Sequence, residues 1–344
     1  MPNFRPSAVR IVFTGFLCLL LLICYATYSI FQLILNDSVA IRKHPILMQL
    51  QRGTCSPEDY RKFFQTIRQC LKQQLSRYPG AGKKLWRALP NYVSACMHPD
   101  ILMEFFELRA LENYDETKLV IPPPFSNKNS AETDFLEEEN GFRRLCTVVT
   151  LGIGGDIEAE LGLRDVQPEC EFYGADPVRE AGTRYWRLGQ YFQLAVAGRN
   201  ERNTTAYILA LGRDGVPEYL ARGIPAISLH NFLKHHVYWT TVDHLWIDSE
   251  GSEYGILREF ARINGSLTSS KGVEVCQVNV ELHGPLRKYG YSRRRYDSLW
   301  RQLILHSDYL PLVVTEPIYH VRAFLINTQS EYCLRRYFAG KCVE

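Results

Sequence analysis

The chain has 344 residues, of which 46% are hydrophobic and 22% are charged, and its formal net charge is +3. A chain of this size and composition can bury one large globular domain and a smaller element. The near balance of charge, without a basic block interleaved with aromatic residues, argues against a dedicated nucleic-acid binder.

The first predicted element is an apolar segment, residues 11–35, which contains no charged residue. A helix of that length rises roughly 37 Å, enough to cross a hydrocarbon core of about 30 Å. A cleaved signal peptide is the alternative, but the run exceeds a typical signal core and no Ala-x-Ala site follows it. We therefore expect a cytoplasmic tail, residues 1–10, and a signal anchor. The product would be a single-pass type II membrane protein of the Golgi or endoplasmic reticulum lumen.

Ten cysteines are present, and eight follow the apolar segment, an even number compatible with disulfides in an oxidising lumen. These are Cys55, Cys70, Cys96, Cys146, Cys170, Cys276, Cys333 and Cys342. Their spacing does not reveal the pairing, and buried free thiols are the alternative for Cys146 and Cys276. Glycosylation sequons at Asn203 and Asn264 suit a lumenal domain. No Cys/His group has zinc spacing, and no metal site is predicted.

Residues 36–140 are predicted to form a helical stem and a linker. A capping pattern at Ser56 starts a helix that ends before Pro79, and a second helical stretch is predicted over residues 100–113. The segment 121–141 is rich in proline, polar and acidic residues, which is typical of a linker. The helices either form a stem that sets a distance from the membrane or pack on the domain that follows.

From residue 141 to residue 344 the pattern changes to strands that alternate with helices. Strand-like runs lie near residues 146–151, 171–175, 192–197, 242–247, 275–282, 312–315 and 320–326, and helical patterns at about 252–263 and 294–306. Seven strands with a glycine turn after the first predict an α/β domain with a doubly wound sheet. Its ligand site is expected at the carboxyl ends of the strands.

The glycine turn follows the first predicted strand of this domain. Gly152 and Gly154 allow close backbone approaches, and the first N–H groups of the next helix face whatever lies over the turn. No Gly-Lys-Ser/Thr follows, which argues against a P-loop, and Ile157 replaces the third glycine of a dinucleotide fingerprint. The turn therefore fits a nucleotide-like ligand, with a simple strand-to-helix connection as the alternative.

Acidic residues follow two further predicted strands. Asp176 lies about twenty residues past the turn, where a carboxylate contacts the ribose hydroxyls of a nucleoside; a capping role before Pro177 is the alternative. Asp248 ends the fourth strand, and Glu250 and Glu253 follow at a helix start. Carboxylates this close repel one another unless a cation or a proton is near, which favours a substrate or cofactor site. The alternative is that the two glutamates only occupy a first helical turn.

With these motifs in place, the chain from about residue 141 to residue 327 resembles the FkbM-type methyltransferase family, particularly its animal membrane-anchored members. The segment "WIDSEGSE", residues 246–253, is similar to the family signature Lys-Ile-Asp-Val-Glu-Gly-x-Glu. Residues 226–233 and 278–284 are similar to the stretches on either side of it. The resemblance implies a seven-stranded class I fold, S-adenosylmethionine (SAM) as methyl donor and usually O-methylation.

The predicted SAM-binding residues are Gly152, Gly154, Asp156 and Asp176. Relative to the family, Thr150 replaces the acidic residue at the end of the first strand, Asp156 the last loop glycine and Trp246 the signature lysine. These departures leave open a non-catalytic SAM-fold protein that serves as a binding partner in the Golgi lumen. A lumenal dehydrogenase or epimerase is disfavoured because the third glycine and a Tyr-x-x-x-Lys pair after the fourth strand are absent.

In the predicted reaction most of the rate comes from holding the methyl donor and the acceptor oxygen in line. Asp248 and His283 are the candidates for general base because both can reach the space above Gly152, and Glu250 is of second rank with Glu281. A purely structural role is the alternative for His283. The lumenal address predicts a small-molecule or glycan acceptor, with attachment to the membrane by the N-terminal helix and no nucleic-acid partner.

Overall fold

A computed structural model of the chain describes residues 56–77, 85–114, 116–124, 138–139, 142–143, 146–211, 217–239, 241–261, 272–284, 292–317 and 320–338. All of them belong to one unit, Thr54–Cys342. Within these ranges no helix has both the length and the apolar character needed to cross a membrane. The predicted tail, residues 1–10, and the predicted anchor, residues 11–35, lie outside the described residues.

The strands and helices of the described residues are numbered in chain order. The strands are β1 (Arg109–Glu112), β2 (Thr117–Val120), β3 (Glu138–Glu139), β4 (Phe142–Arg143), β5 (Thr147–Leu151), β6 (Glu171–Ala175), β7 (Gln190–Phe192), β8 (Ala195–Ala197), β9 (Glu201–Leu211), β10 (Pro217–Ser228), β11 (Thr241–Ile247), β12 (Glu274–His283), β13 (Tyr309–Thr315) and β14 (His320–Asn327). The helices are α1 (Pro57–Ser76), α2 (Leu85–Cys96), α3 (Glu158–Val166), α4 (Arg179–Tyr185), α5 (Leu229–Phe232), α6 (Glu253–Ala261), α7 (Arg293–His306) and α8 (Glu331–Phe338). Short π-helical turns lie at Ile101–Phe105 and Leu233–Val237.

The central sheet contains seven strands in the order β13-β14-β12-β11-β5-β6-β7. The five strands from β12 to β7 run parallel, and β14 runs antiparallel to both of its neighbours. The predicted seven-stranded sheet is confirmed, but the run predicted near residues 192–197 forms two strands, of which β7 joins this sheet and β8 pairs with β10 in another. The chain winds outward from β5 through β6 and β7, and then crosses to the other side of β5 to form β11. The crevice between the ends of β5 and β11 is therefore the place where this topology opens a ligand site.

The core lies on both faces of this sheet. Val148 and Trp246 pack in one apolar cluster with residues of α3, α4 and the β1–β2 hairpin. Alternate residues of a strand point to opposite faces, and the intervening Val149 and Leu245 are also fully buried. Strands covered on both faces explain why the predicted strands are nearly continuous apolar runs.

Helices α1 and α2 pack on the sheet domain, which favours the packing alternative for this region. The predicted cap is confirmed, because the Ser56 hydroxyl accepts from the N–H of Asp59 while the Asp59 carboxylate accepts from the N–H of Ser56. Helix α1 contacts α7 and α8, and α2 contacts β13. Arg68 of α1 donates to the carbonyl oxygens of Ile304 at 2.5 Å and Tyr309 at 3.2 Å. The domain boundary at residue 141 stays a prediction.

The helix predicted over residues 100–113 is wrong beyond its first turn. Strand β1 pairs antiparallel with β2, and the N–H of Asn113 donates to the carbonyl oxygen of Glu116 at 2.7 Å to close the hairpin. The side chain of Asn279 on β12 bonds both the N–H and the carbonyl of Leu119. These hydrogen bonds hold β2 against the sheet, and β2 in turn pairs the backbone groups of β1 that a helix would have paired internally, so the tertiary contact outweighs the local helical pattern.

Three disulfides join cysteines of the described residues: Cys70–Cys96, Cys146–Cys170 and Cys276–Cys333. The first links α1 to α2, the second links the starts of β5 and β6, and the third links β12 to α8. The free-thiol alternative for Cys146 and Cys276 is therefore wrong. The two other cysteines that follow the apolar segment, Cys55 and Cys342, lie outside the described residues.

Candidate active site

The glycine turn between β5 and α3 is pressed against the end of β11. Gly152 has a φ of +78°, and a Cβ built on it would lie 1.7 Å from the carbonyl oxygen of Asp248. The N–H of Asp248 donates to the carbonyl oxygen of Leu151 at 2.8 Å. Gly154 has a φ of +63° and no atom within 4 Å of a built Cβ. The turn thus requires glycine at residue 152 for close approach and leaves open space at residue 154.

Asp176 holds this turn from the end of β6. One carboxylate oxygen accepts from the N–H groups of Ile153 at 2.9 Å and Gly154 at 3.2 Å, and the other accepts from Val178 at 2.7 Å. Burial raises the pKa of Asp176 although these three hydrogen bonds oppose the shift. The position of Asp176 beside the turn agrees with the predicted cofactor role. Its hydrogen bond to the N–H of Val178 agrees with the capping alternative. The ribose contact itself stays a prediction.

The tip of the β1–β2 hairpin covers the start of α3. The side chain of Asn113 accepts from the N–H of Ala159 at 2.6 Å, which caps the helix from another part of the chain. Asp156 accepts from the N–H groups of Tyr114 at 2.5 Å and Glu158 at 3.0 Å. Asp156 was predicted to bind the cofactor, and the structure also gives its carboxylate a role in seating the hairpin on the turn.

The signature loop after β11 has an unusual backbone. Glu250 has a φ of 49°, a left-handed value that a side chain rarely adopts, and Gly251 has a φ of 114°. The carboxylate of Glu253 accepts from the N–H of Gly251 at 2.6 Å and is fully buried. Strain of this kind persists only where surrounding contacts hold it, and it is common at functional sites.

The structure brings the three predicted catalytic side chains together around the ring of His283. Its Nδ1 lies 2.6 Å from an oxygen of Glu253, and its Nε2 lies 3.1 Å from Glu250 and 3.7 Å from Asp248. Because an ionised carboxylate only accepts hydrogen bonds, the ring donates from Nδ1 to Glu253. Asp248, Glu250 and His283 therefore form one cluster, with Glu253 as its buried support.

Burial and charge act differently on the two candidate bases. Burial alone would lower the pKa of His283, but Glu253, Glu250 and Asp248 outweigh it and raise this pKa to about 12. The ring is therefore protonated at neutral pH and cannot accept a proton there. Burial raises the pKa of Asp248 well above its ordinary value; Glu116 adds to the shift, while His283 and Lys118 oppose it. Asp248 is the stronger candidate for a base.

Further charged residues reach the cluster from β2, which the sequence did not connect with it, and from β12, whose Glu281 is the second-rank candidate base of the sequence analysis. Lys118 of β2 is buried and pairs with Glu116. Glu281 of β12 lies 3.2 Å from Nδ1 of His320 and pairs with Arg322. The alternation of half-buried and buried residues along β2 could have indicated this lysine. Lys118 falls on the same face as the buried Val120, and a buried lysine needs a partner of opposite charge. This position of Lys118 is missed from the sequence because a helical stem and a linker are predicted over residues 36–140.

Carboxylates outnumber cations in this part of the described chain. The carboxylates are Glu116, Asp248, Glu250, Glu253 and Glu281, and the cationic partners are Lys118, His283 and Arg322. Three overlapping groups of these side chains and His320 place possible ligand atoms within 4.8 Å of one another. Each group already contains members of the ion pairs described above. The absence of a metal stays a prediction, and the excess negative charge suits a cationic ligand.

A comparison with protein families identifies one match. The family model described as the methyltransferase FkbM domain matches residues 106–311. This range begins just before the β1–β2 hairpin and ends within β13, so it contains the glycine turn, the signature loop and the hairpin. A search of curated proteins gives no match.

Solved structures of several methyltransferases resemble this chain at low identity. TrmK of M. capricolum, in complex with S-adenosyl-homocysteine, is 12% identical over 54% of this chain and 63% of its own, with a TM-score of 0.28. The chain thus covers less than two thirds of that protein. A human methyltransferase 10 domain containing protein is 11% identical over 58% and 79%, with a TM-score of 0.30. The METTL16 methyltransferase domain is 12% identical over 70% and 81%, with a TM-score of 0.31. TM-scores this low carry no argument about function.

Proposed function

The chain belongs to the FkbM methyltransferase family, and from that premise we propose that it methylates a hydroxyl oxygen of a glycan or another acceptor of the secretory pathway. Its cofactor is S-adenosylmethionine. The observation that carries the proposal is the cluster of Asp248, Glu250 and His283, which stands beside the glycine turn at the carboxyl ends of β11 and β12.

The residues around the turn fit this cofactor. The missing side chain at Gly152 lets the turn pack against the backbone of Asp248, and the open space at Gly154 allows a nucleoside to approach the chain closely. The neighbouring carboxylates supply the negative charge that a sulfonium favours. When bound, SAM supplies a methyl group attached to positively charged sulfur. Gly152, Gly154, Asp156 and Asp176 are the residues that would hold it.

Asp248 is the proposed general base. A hydroxyl acceptor must lose its proton as the oxygen takes the methyl group, and a carboxylate with a raised pKa is a better proton acceptor than an ordinary one. Asp248 follows β11 directly and is about a third exposed, with a side-chain exposure of 32%, so an acceptor can reach it. Its position next to Gly152 brings the base close to the turn where the cofactor is expected.

His283 and Glu250 are proposed as positioning residues in this reaction. The imidazolium of His283, held at Nδ1 by Glu253, places a fixed positive charge beside Asp248 and Glu250. This charge keeps the carboxylates close together in spite of their mutual repulsion. Glu250, whose backbone is strained, presents its carboxylate to the same nitrogen as Asp248 and thereby aligns the loop.

A lumenal address is part of the proposal. Disulfides persist in the lumen of the secretory pathway and are rare in the cytosol, and three join cysteines of the described residues. The apolar segment 11–35 would anchor the chain as a single-pass type II protein. Glycans and glycoproteins are the abundant hydroxyl-bearing acceptors at that address.

A non-catalytic SAM-fold binding protein is the second candidate. It is favoured by Thr150, which carries no charge at the end of β5, and by Asp156, whose carboxylate bonds two backbone N–H groups. In that case the acidic cluster would bind a ligand or partner without transferring a methyl group.

The test compares cells that express the protein with matched knockout cells after labelling with SAM that carries an isotopic methyl group. We expect an ether-linked methyl group on the secretory glycan pool that disappears in the knockout and returns with the wild-type protein. A product that depends on the protein but is found only among cytosolic molecules would contradict the proposed acceptor. Return of the product with an Asp248→Asn variant would contradict the proposed base.

A further inference from the structure

Glu160, on the first turn of α3, is a buried carboxylate with an unused oxygen. Only 2% of the residue is exposed. Its Oε1 accepts from the hydroxyl of Thr150 at 3.1 Å, whereas Oε2 has no hydrogen-bond partner among the described residues. Leaving a buried polar atom unsatisfied is costly, and for a charged group the cost rises further. An unpaired carboxylate oxygen of this kind, close to the glycine turn where the cofactor is expected, indicates a ligand that donates a hydrogen bond to it.

Thr150 connects Glu160 to the end of β5. It is the last but one residue of the strand that leads into the turn, and its hydroxyl also accepts from the hydroxyl of Tyr185 on α4 at 3.2 Å. The strand end therefore carries no charge of its own. A carboxylate from the following helix is instead brought beside it, immediately below the glycine turn.

Lys118 of the β1–β2 hairpin supplies a positive charge in the same region. Only 4% of this lysine is exposed, and it pairs with Glu116. Burial would lower the pKa of Lys118, but the charges of Glu116, Asp248 and Glu160 raise it, so all three carboxylates act on this ammonium. An ammonium has three donors, and the bond to Glu116 uses one of them.

We propose that Glu160 and Lys118 bind the amino-acid end of S-adenosylmethionine, Glu160 through its free oxygen to the ammonium group and Lys118 to the carboxylate. The inference rests on the proposed function, because it assigns contacts to the cofactor of that reaction. The amino-acid end of SAM carries one positive and one negative group, and the pair offers the opposite charge to each. The hairpin is then part of the cofactor site as well as a cover for it.

Ionisation of Glu160 gives the proposal a second, independent readout. Burial raises the pKa of Glu160 to about 7; Lys118, the backbone N–H of Glu160 and the hydroxyl of Thr150 oppose the shift, and Glu116 adds to it. An ammonium bound beside the carboxylate favours its ionised form. Cofactor binding near pH 7 should therefore release part of a proton, and binding should strengthen as the pH rises through this range.

The experiment is a calorimetric titration of the full-length protein with SAM and with 5′-methylthioadenosine, which keeps the nucleoside and sulfur but lacks the amino-acid end. We expect Glu160→Gln and Lys118→Met each to weaken SAM binding about ten-fold or more and to leave methylthioadenosine binding unchanged. Glu158→Gln, an exposed neighbour on the same helix turn, is the matched control and should change neither. Titration in two buffers of different ionisation enthalpy should detect proton release in the wild type and not in Glu160→Gln.

The two ligands separate this inference from the proposed function. An equal loss of both ligands in the variants, or no loss of either, would overturn the inference, since the residues would then only support the turn or play no part in binding. Methylthioadenosine binding without tighter SAM binding in the wild type would also overturn it. A folded wild-type protein that binds neither ligand would contradict the methyltransferase function itself.

Discussion

At the scale of single residues, burial and charge assign Asp248 and His283 different tasks. The imidazole of His283 lies between Glu253 on one nitrogen and Glu250 with Asp248 on the other, and these carboxylates keep it protonated. Asp248, like Glu250, is partly exposed, and burial together with Glu116 raises its pKa. A carboxylate with a raised pKa that an acceptor can reach suits general-base catalysis, whereas a fixed cation suits positioning.

Asp248→Asn should therefore slow methyl transfer strongly and spare cofactor binding. Loss of a general base typically lowers the rate about 10² to 10⁴-fold. In the wild type the rate should rise with pH as Asp248 loses its proton, because only the carboxylate form accepts one. The measurement is transfer of a labelled methyl group to a secretory glycan preparation across a pH series, with SAM binding titrated in parallel. A variant that keeps the wild-type rate and pH profile would exclude Asp248 as the base.

At the scale of elements, β11 is tied to the rest of the protein at both ends. After its carboxyl end, the N–H of Asp248 donates to the carbonyl oxygen of Leu151 at the end of β5. At its start, Asp243 is fully buried and accepts from the hydroxyls of Tyr332 at 3.1 Å and Tyr337 at 3.0 Å. Arg336 pairs with the same carboxylate at 3.1 Å. Helix α8 is thereby fastened to the strand that carries the signature loop, and the disulfide between Cys276 and Cys333 fastens it to β12.

Asp243→Ala should destabilise the whole domain, because it leaves the largely buried guanidinium of Arg336 without this carboxylate. Removal of one partner from a buried ion pair typically costs about 3–5 kcal/mol. Urea denaturation followed by circular dichroism measures the free energy of unfolding. Glu331→Gln on the same helix is the control, because its ion pairs lie at the surface and should matter by less than about 1 kcal/mol. Equal stability of the two variants would show that the buried network does not hold α8 in place.

At the scale of the whole molecule, the sheet was predictable and the surroundings of the site only in part. The strands of the sheet are apolar runs because they are buried on both faces, and the signature residues Asp248, Glu250 and Glu253 lie close in sequence. His283 could be added from its place at the end of the neighbouring strand. These features depend on local pattern and on parallel pairing, both of which a sequence records.

The rest depends on contacts between distant segments. The β1–β2 hairpin is held by side chains of β12, because Asn279 bonds the backbone of Leu119 in β2 and Gln277 bonds the backbone of Ile121 just after it. The sequence near residue 110 gives no sign of these distant partners. Lys118 enters the site only through that hairpin. Helix α2 contains Pro90, which normally argues against a helix interior. Disulfide pairing likewise follows from folded proximity and not from spacing.

The most direct test of the central claim is equilibrium dialysis of the full-length protein against labelled S-adenosylmethionine, beside Gly152→Ala and Gly155→Ala. A Cβ at residue 152 would collide with the backbone of Asp248, whereas a Cβ at residue 155 meets no atom within 4 Å. We predict saturable binding by the wild type and by Gly155→Ala, and loss of binding by Gly152→Ala. A wild-type protein that is folded by circular dichroism and binds no S-adenosylmethionine would contradict the account.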